Sequence, residues 1–327
     1  MNYIRYAVSL PLGIALSAFS LCSGAQPADY PTRAIQMVVP YPPGSGSDVV
    51  ARLLTQRMAD TFKQPVTVDN RSGASTNIGT ELVARAAADG YTLLFQAPNL
   101  ATNVSMFSNI KWGLQDFTGV VHIANYANVL VAGPGGKYAD FRELLAQSKV
   151  ESGAFSYGSP GVGSVSHLAV ELLKQRSGLK LEHVSYKGPS QMAVDLAGGH
   201  LAYAASNISN VFSAMKDSKS AIRPVVLLSQ KRSPALPDTP SLADIGITGL
   251  EGSGWYGVAA PAKTPAPVVA RLNAEINRIL RLPEIAERFR AMHIEAAGGS
   301  PDEFTRFLAA EAKKWGDIIR TSNIKAD

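Results

Sequence analysis

The sequence predicts an α/β protein of two lobes, each with a mainly parallel sheet. Three observations predict it. Short apolar runs of strand length alternate with segments of helical period. That alternation runs through once and then starts again in the same order. Three strand-to-helix turns are rich in glycine and other small residues. The chain's 327 residues suit two domains of roughly 150 residues each.

In the first unit Ile35–Val39 is a β-rich run that Pro40 ends. A helix is expected from Ser47 to Phe62, with Val50, Leu53, Leu54, Met58 and Phe62 on one face. Val66–Val68 is a strand, Ile78–Ala88 an alanine-rich helix, and Tyr91–Phe95 a strand. The second unit offers strands at Val129–Ala132, Phe155–Tyr157, His183–Tyr186, Leu201–Ala205 and Val225–Leu228. Helices are expected between them at Ala139–Gln147, Ser164–Arg176 and Pro189–Ala197. The proline-rich stretch 233–240 is an irregular connection. A return strand follows at Gly254–Ala259. A helix then runs over Pro265–Leu280, with Val268, Val269, Leu272, Ile276 and Ile279 as its buried stripe. A last helix covers Pro301–Arg320, with Phe304, Phe307, Leu308, Trp315 and Ile319 on its apolar face. Trp255, on the return strand, is either a core residue or a fluorescent reporter of lobe closure.

Apolar residues make up 46% of the chain, enough for a sizeable core. The net charge of +5 is spread without a Lys/Arg block, which argues against nucleic acid as the main partner. One cysteine, Cys22, excludes a disulfide scaffold and a cysteine-rich zinc site. Residues 1–25 carry Arg5, an apolar stretch from Tyr6 to Leu21, and the small pair Ser23 and Ala25. This is the pattern of a cleaved signal peptide, with the mature start near Gln26. The stretch contains Pro11 and falls short of the roughly 20 residues that a membrane span needs. Leu21 before Cys22 does not suit lipidation. Export implies the bacterial periplasm or beyond.

The three turns are Tyr41 to Asp48, Asn70 to Asn77 and Gly158 to Ser164. Small residues let a backbone approach a ligand closely. The first amides of a helix lack internal partners, and the helix dipole favours an anion there. Each turn can also be a plain helix cap, with Ser47 and Ser164 as natural N-caps. Two lobes face to face would bring the turns to one cleft at the strand ends.

Nucleotide motifs fail: Val49 and Ser166 stand where a dinucleotide fingerprint needs its third glycine, and there is no Walker A sequence. No cofactor or metal is expected. There is no G-x-S-x-G nucleophile elbow and no H-E-x-x-H zinc motif. His167 lies one turn into its helix, as a ligand contact or a structural cap. As a general base for a hydrolase or isomerase it has no obvious nucleophile partner. His122, His183, His200 and His293 are read as structural or exposed.

Several runs, in order, resemble the tripartite tricarboxylate transporter substrate-binding receptors, also called the Bordetella uptake gene (Bug) family. They are VVPYPPGSGSDVVARLL, VTVDNRSGASTNIGTELVARAAADGYTLL, SYGSPGVGSVSHLAVELL, HVSYKGPSQMAVDLAGG, GWYGVAAPAKTPAPVVARLN and EFTRFLAAEAKKWGDII. The resemblance implies a periplasmic binding protein of the Venus-flytrap kind. It would trap a small organic acid between its lobes and deliver it to the membrane subunits of a transporter. The alternative partner is a membrane sensor kinase. The receptor is expected to be monomeric. Residues 26–126 plus 253–327 would form lobe 1, and 127–252 lobe 2.

Carried over residue by residue, the resemblance implies first-lobe contacts from Tyr41, Pro43, Gly44, Ser45, Gly46, Ser47, Asp48, Ser75, Thr76 and Asn77, with Ala97 as a wall. Second-lobe contacts would come from Ser159, Gly163, Ser164, His167 and Ser206. Lys187 is either a contact or a surface charge. The family often reads Gly-Ala-Gly-Gly at Gly73-Ala74-Ser75-Thr76. Members often carry aspartate at Ala202, and some near Ser206. Their absence here points to an acid without an amino group.

Overall fold

The computed structural model describes residues 30–151, 155–216, 221–321 and 324. The expected leader, with Cys22, lies outside them. Every element below belongs to the compact unit Pro31–Asp327.

The chain forms two separate sheets. Strands β1 (Ile35–Val39), β2 (Val66–Asn70), β3 (Thr92–Gln96), β4 (Phe117–Tyr126), β10 (Gly254–Pro261) and β11 (Ile294–Ala296) make the first, in the order β11-β4-β10-β3-β1-β2. Strands β5 (Asn128–Ala132), β6 (Ser156–Ser159), β7 (Glu182–Ser185), β8 (Tyr203–Asn207) and β9 (Arg223–Leu227) make the second, in the order β7-β6-β8-β5-β9. Both sheets are mixed, not mainly parallel. β1 pairs in parallel with β2 and β3, and β6 with β7 and β8. β4, β5, β9, β10 and β11 make only antiparallel ladders. The antiparallel halves are the strands next to the crossings, where the chain leaves one sheet for the other and returns.

The crossings are bonded to each other. The outgoing chain passes from Tyr126 at the end of β4 to Asn128 at the start of β5. There Asn128 Nδ2 donates to the Gly252 carbonyl at 2.6 Å, on the returning chain just before β10. Gly252 N donates back to Leu228 O at 2.8 Å, just after β9.

Helix α1 (Gly46–Phe62) follows β1 and buries Val50, Leu54, Met58 and Phe62 at helical spacing. α2 (Asn77–Ala84) is shorter than the expected helix and is preceded by a 3₁₀ turn over Ala74–Thr76. α3 (Asn99–Met106) and β4 fall in a region to which the sequence reading assigned no element. α3's sequence, NLATNVSM, is mixed polar and lacks a clean stripe, yet Leu100, Ala101, Thr102 and Asn103 are all buried. α4 (Phe141–Val150), α5 (Val165–Ser177) and α6 (Pro189–Ala197) surround the second sheet with α7 (Ile208–Lys216). α8 (Ala266–Leu280) buries all five residues of its expected stripe. α9 (Pro283–Ala291) leads to β11.

α10 (Pro301–Thr321) is long enough to serve both sheets. Its first half lays Phe304 and Leu308 against Trp255 of β10, Val38 of β1 and Leu94 of β3. A Cβ at Gly257 would overlap the Phe304 ring, so helix and strand approach closely there. Its second half packs Trp315 and Ile319 on Val165 and Leu168 of α5, with Met106 of α3. Trp255 is a core residue, 1% exposed. Among the described residues no helix is long and apolar enough to cross a membrane.

Because Trp315 fills a cluster shared by three helices, Trp315→Ala is expected to cost about 3–5 kcal/mol of unfolding free energy. Urea denaturation of ligand-free protein measures it. A loss below about 1 kcal/mol would mean that the cluster collapses around the gap.

Candidate functional site

A cleft of about 620 Å³ opens where turns from the two sheets meet. That is a usual volume for a small-molecule site. The first sheet supplies the turns after β1 and β2, and the second those after β6 and β7. All four are carboxyl ends of parallel strands, where open α/β sheets bind ligands.

The turn after β1 is organised from beneath. Tyr41 Oη donates to Gln96 Oε1 at 2.6 Å. Gln96 Nε2 donates to Thr80 Oγ1 at 2.8 Å, and Thr80 Oγ1 donates to Thr76 O at 2.9 Å. This buried relay ties the first turn to the second. Burial pushes the Tyr41 phenol far above its ordinary pKa, so it stays a neutral donor. Asp48, only 3% exposed, accepts from Gly44 N at 2.9 Å, Asn70 Nδ2 at 2.9 Å and Arg52 Nε at 2.9 Å. Burial opposes ionisation of Asp48, but those hydrogen bonds and the Arg52 charge outweigh it and hold its pKa below 3.8. Its carboxylate is a clamp inside the loop. Ser45, not Ser47, caps α1: its side chain accepts from Asp48 N at 3.3 Å. Ser47 is inside the helix, buried, with its hydroxyl on Tyr256.

The second turn is strained. Gly73 has φ +130°, and the next three residues, none of them glycine, also have positive φ: Ala74 +46°, Ser75 +51° and Thr76 +78°. The left-handed conformation costs a non-glycine residue about 1–2 kcal/mol. Its persistence demands bracing. Asn103 of α3 provides it, with Nδ2 at 2.7 Å from Ser75 O and 3.0 Å from Asn77 Oδ1. Thr80 holds Thr76 O from the other side. Asn77 Oδ1 also accepts from Trp112 Nε1 at 3.2 Å.

In the second lobe Ser164 caps α5 as expected, accepting from His167 N at 3.3 Å. Its hydroxyl donates to Gly161 O at 2.8 Å. His167 faces away from the cleft, 5% exposed. Its Nδ1 accepts from Gly163 N at 3.3 Å, and its ring stacks on His183 at 4.0 Å. Burial, then the nearby His183 and Lys174, push its pKa down to about 3, so the ring is neutral. His183 Nε2 lies 2.8 Å from Ser159 Oγ, which also donates to Gly161 O at 3.1 Å. The two histidines and Ser159 therefore underlie the Gly161–Gly163 turn.

Of the residues singled out from the sequence, Tyr41, Ser45, Ser75, Thr76, Ser164 and Lys187 line the cleft. Asp48, Asn77, Ser159, Gly163 and His167 lie behind its walls, in the hydrogen bonds just given, and Gly44 is exposed outside the cleft. Pro43, Gly46, Ser47 and Ala97 are not on the wall either. Ala97 is buried and its N–H is taken by Gln96 Oε1 at 2.9 Å. Ser206, fully buried, accepts from Asn210 Nδ2 at 3.0 Å. Ala202 stands before β8, beside the Gly133–Gly136 turn, at the end of the strand away from the cleft. An aspartate there would not reach a ligand, so its absence carries no argument about specificity. Asn99 and Phe107, on the cleft wall, were not anticipated, because α3 itself was not. Pro98, two residues after the end of β3, is a local signal for a helix start there. Among the described residues no group of three His, Cys, Asp or Glu side chains is placed to hold a metal.

Residues 50–324 match the family described as tripartite tricarboxylate transporter family receptor. The chain belongs to this receptor family. It is 33% identical over 317 residues to protein BugT of Bordetella pertussis, covering 96% of this chain and 97% of BugT. A solved R. palustris protein with adipate superposes with a TM-score of 0.85 at 32% identity, covering 91% of this chain and 99% of that one. MatC from Rhodopseudomonas palustris, with bound malate, gives 0.81 at 27% identity, covering 89% and 100%. As a member of this family the protein is a solute-binding receptor of the periplasmic, two-lobed type and not an enzyme. The general-base reading of His167 is set aside.

Two outcomes follow from the braced turns. Ser75→Gly relieves a left-handed residue and is expected to stabilise the ligand-free protein by about 1 kcal/mol, read by chemical denaturation. Asp48 has a folded pKa below its ordinary value, so its stabilising contribution is complete above pH 3.8 and is lost as pH falls through the folded pKa. Asp48→Asn should therefore lower the melting temperature at pH 7. The gap between variant and wild type should close below pH 3.8; a gap that does not change with pH would contradict the clamp.

Proposed function

We propose that this receptor captures a small organic acid without an amino group, a di- or tricarboxylate or an aromatic acid. It then delivers the acid to the integral-membrane subunits of a tripartite tricarboxylate-type transporter. It acts in the periplasm as a monomer, after removal of residues 1–25, by closing residues 127–252 onto 26–126 plus 253–327.

The charge of the cleft carries this reading. Among the described residues that line it, Lys187 is the one charged side chain, and no Asp or Glu is present. An amino acid's ammonium group would be desolvated there without a counter-charge, which is costly. An anion finds hydroxyl donors at Ser45, Ser75 and Thr76, and the amide-rich starts of α1, α2 and α5. Prolines, Phe107 and Val162 offer apolar surface for the middle of the molecule. The adipate and malate of the related structures are both amine-free carboxylates, in keeping with this.

One carboxylate docks on the first-lobe turns. The lobes then close and bring Lys187 and Ser164 to the other end. The ligand shifts this equilibrium only as far as it binds the closed form better than the open one. Asp48, Gly163 and His167 keep the turns in shape without touching it.

A thermal-shift panel of dicarboxylates, tricarboxylates, aromatic acids and acidic amino acids tests the reading on protein unfolded and refolded to strip bound ligand. A true ligand at 100 times its Kd adds about 2.7 kcal/mol, a shift of several degrees. Binding of glutamate or aspartate in preference to amine-free acids would overturn it. Lys187 is exposed, so Lys187→Gln should weaken a dicarboxylate by about fivefold at most, and the matching monocarboxylate less.

A further inference from the structure

Two neighbouring residues of α3 make hydrogen bonds to turns of different lobes. Asn103 holds the strained first-lobe turn through Ser75 O and Asn77 Oδ1. Thr102 reaches the other lobe: its Oγ1 donates to the Gly163 carbonyl at 3.0 Å. Both side chains are fully buried, and Gly163 is buried as well. Neither Thr102 nor Gly163 lines the cleft, but Asn99, Val162 and Ser164, close to them in sequence, do. Asn103 Oδ1, which has no hydrogen-bond partner among the described residues, stands 3.6 Å from where a Gly163 Cβ would be. Gly163 has φ +79°, so its carbonyl direction belongs to a turn that other residues do not readily adopt.

We propose that Thr102 is a positioning residue that ties the second-lobe turn to α3 only in the closed receptor and so sets how long a ligand stays bound. This rests on the cleft being the ligand site. The physical basis is an asymmetry between states. When the lobes part, water reaches both the hydroxyl and the carbonyl, and neither loses by separation. When they close, both are dry, and the hydrogen bond is the only compensation the Gly163 carbonyl receives from α3. Removing the donor leaves a buried acceptor unsatisfied in the closed state alone. The population of that state falls, and with it the affinity, although no atom that touches the ligand has changed.

The test compares wild type with Thr102→Val, which keeps the shape and removes the donor, and with Thr102→Ser, which keeps the donor. The probes are adipate and malate, read by calorimetry and stopped-flow. Thr102→Val should raise Kd about 3- to 10-fold, mostly through a faster off-rate. Thr102→Ser should stay within about twofold of wild type. Thr102→Val should also shift ligand-free protein towards the open form, with a larger radius of gyration in small-angle scattering. If Thr102→Val does not fold, Thr102→Ala removes the same donor. Wild-type off-rates and scattering in the donor-less variant would overturn the proposal and make the bond a fixed pivot. Failure of wild type to bind either acid means that the cleft takes another acid, and says nothing against the tie. The tie is then judged on scattering alone, where superimposable ligand-free profiles overturn it.

Discussion

One buried carboxylate organises the molecule. Glu311, on α10, accepts the indole N–H of Trp255 at 3.2 Å and that of Trp315 at 3.1 Å, both on Oε2. Lys314 pairs with its other oxygen. A buried carboxylate without partners costs several kcal/mol, so α10 has one rotation about its axis in which that cost is met. Trp255 belongs to β10, which lies between β3 and β4 in the first sheet. Trp315 sits against α5, which covers the second sheet. The same group that fixes the helix on the first sheet therefore fixes the surface that meets the second lobe.

The cleft follows a related rule at smaller scale. Its turns are shaped by polar groups placed behind them, which hydrogen-bond to the protein. Asp48, Gln96, Asn103 and the pair His167 and His183 are all examples. What faces the cleft is backbone, small hydroxyls, the Asn99 amide, apolar and tyrosine rings and one ammonium group. Charge is kept off the wall except at Lys187, and behind the turns Tyr41 and His167 are neutral and Asp48 is paired with Arg52.

Much of this order was legible in the sequence. The stripes of α1, α8 and α10 repeat at helical spacing over several turns, and burial follows them. The glycine turns marked the cleft, since glycine and capping serine are local signals. Three features had no local signal. α3 is helical because its neighbours bury it, and its polar residues work as braces, which periodicity does not record. The mixed sheets follow from a return strand, β10, inserted between β3 and β4, a long-range pairing. The inward turn of His167 depends on its position three residues after the cap, where its ring folds back over the Gly163 amide.

The braced turn at 73–76 also bears on how such a receptor can diversify. Where glycine supplies a left-handed backbone, the position has no side chain to vary. Here Asn103 and Thr80 impose the backbone shape from outside, so Ala74, Ser75 and Thr76 keep side chains on the cleft wall. Shape and recognition are thereby encoded at different places in the chain. Substitutions at 74–76 can change the chemistry that the wall presents while the backbone amides of the turn stay where they are.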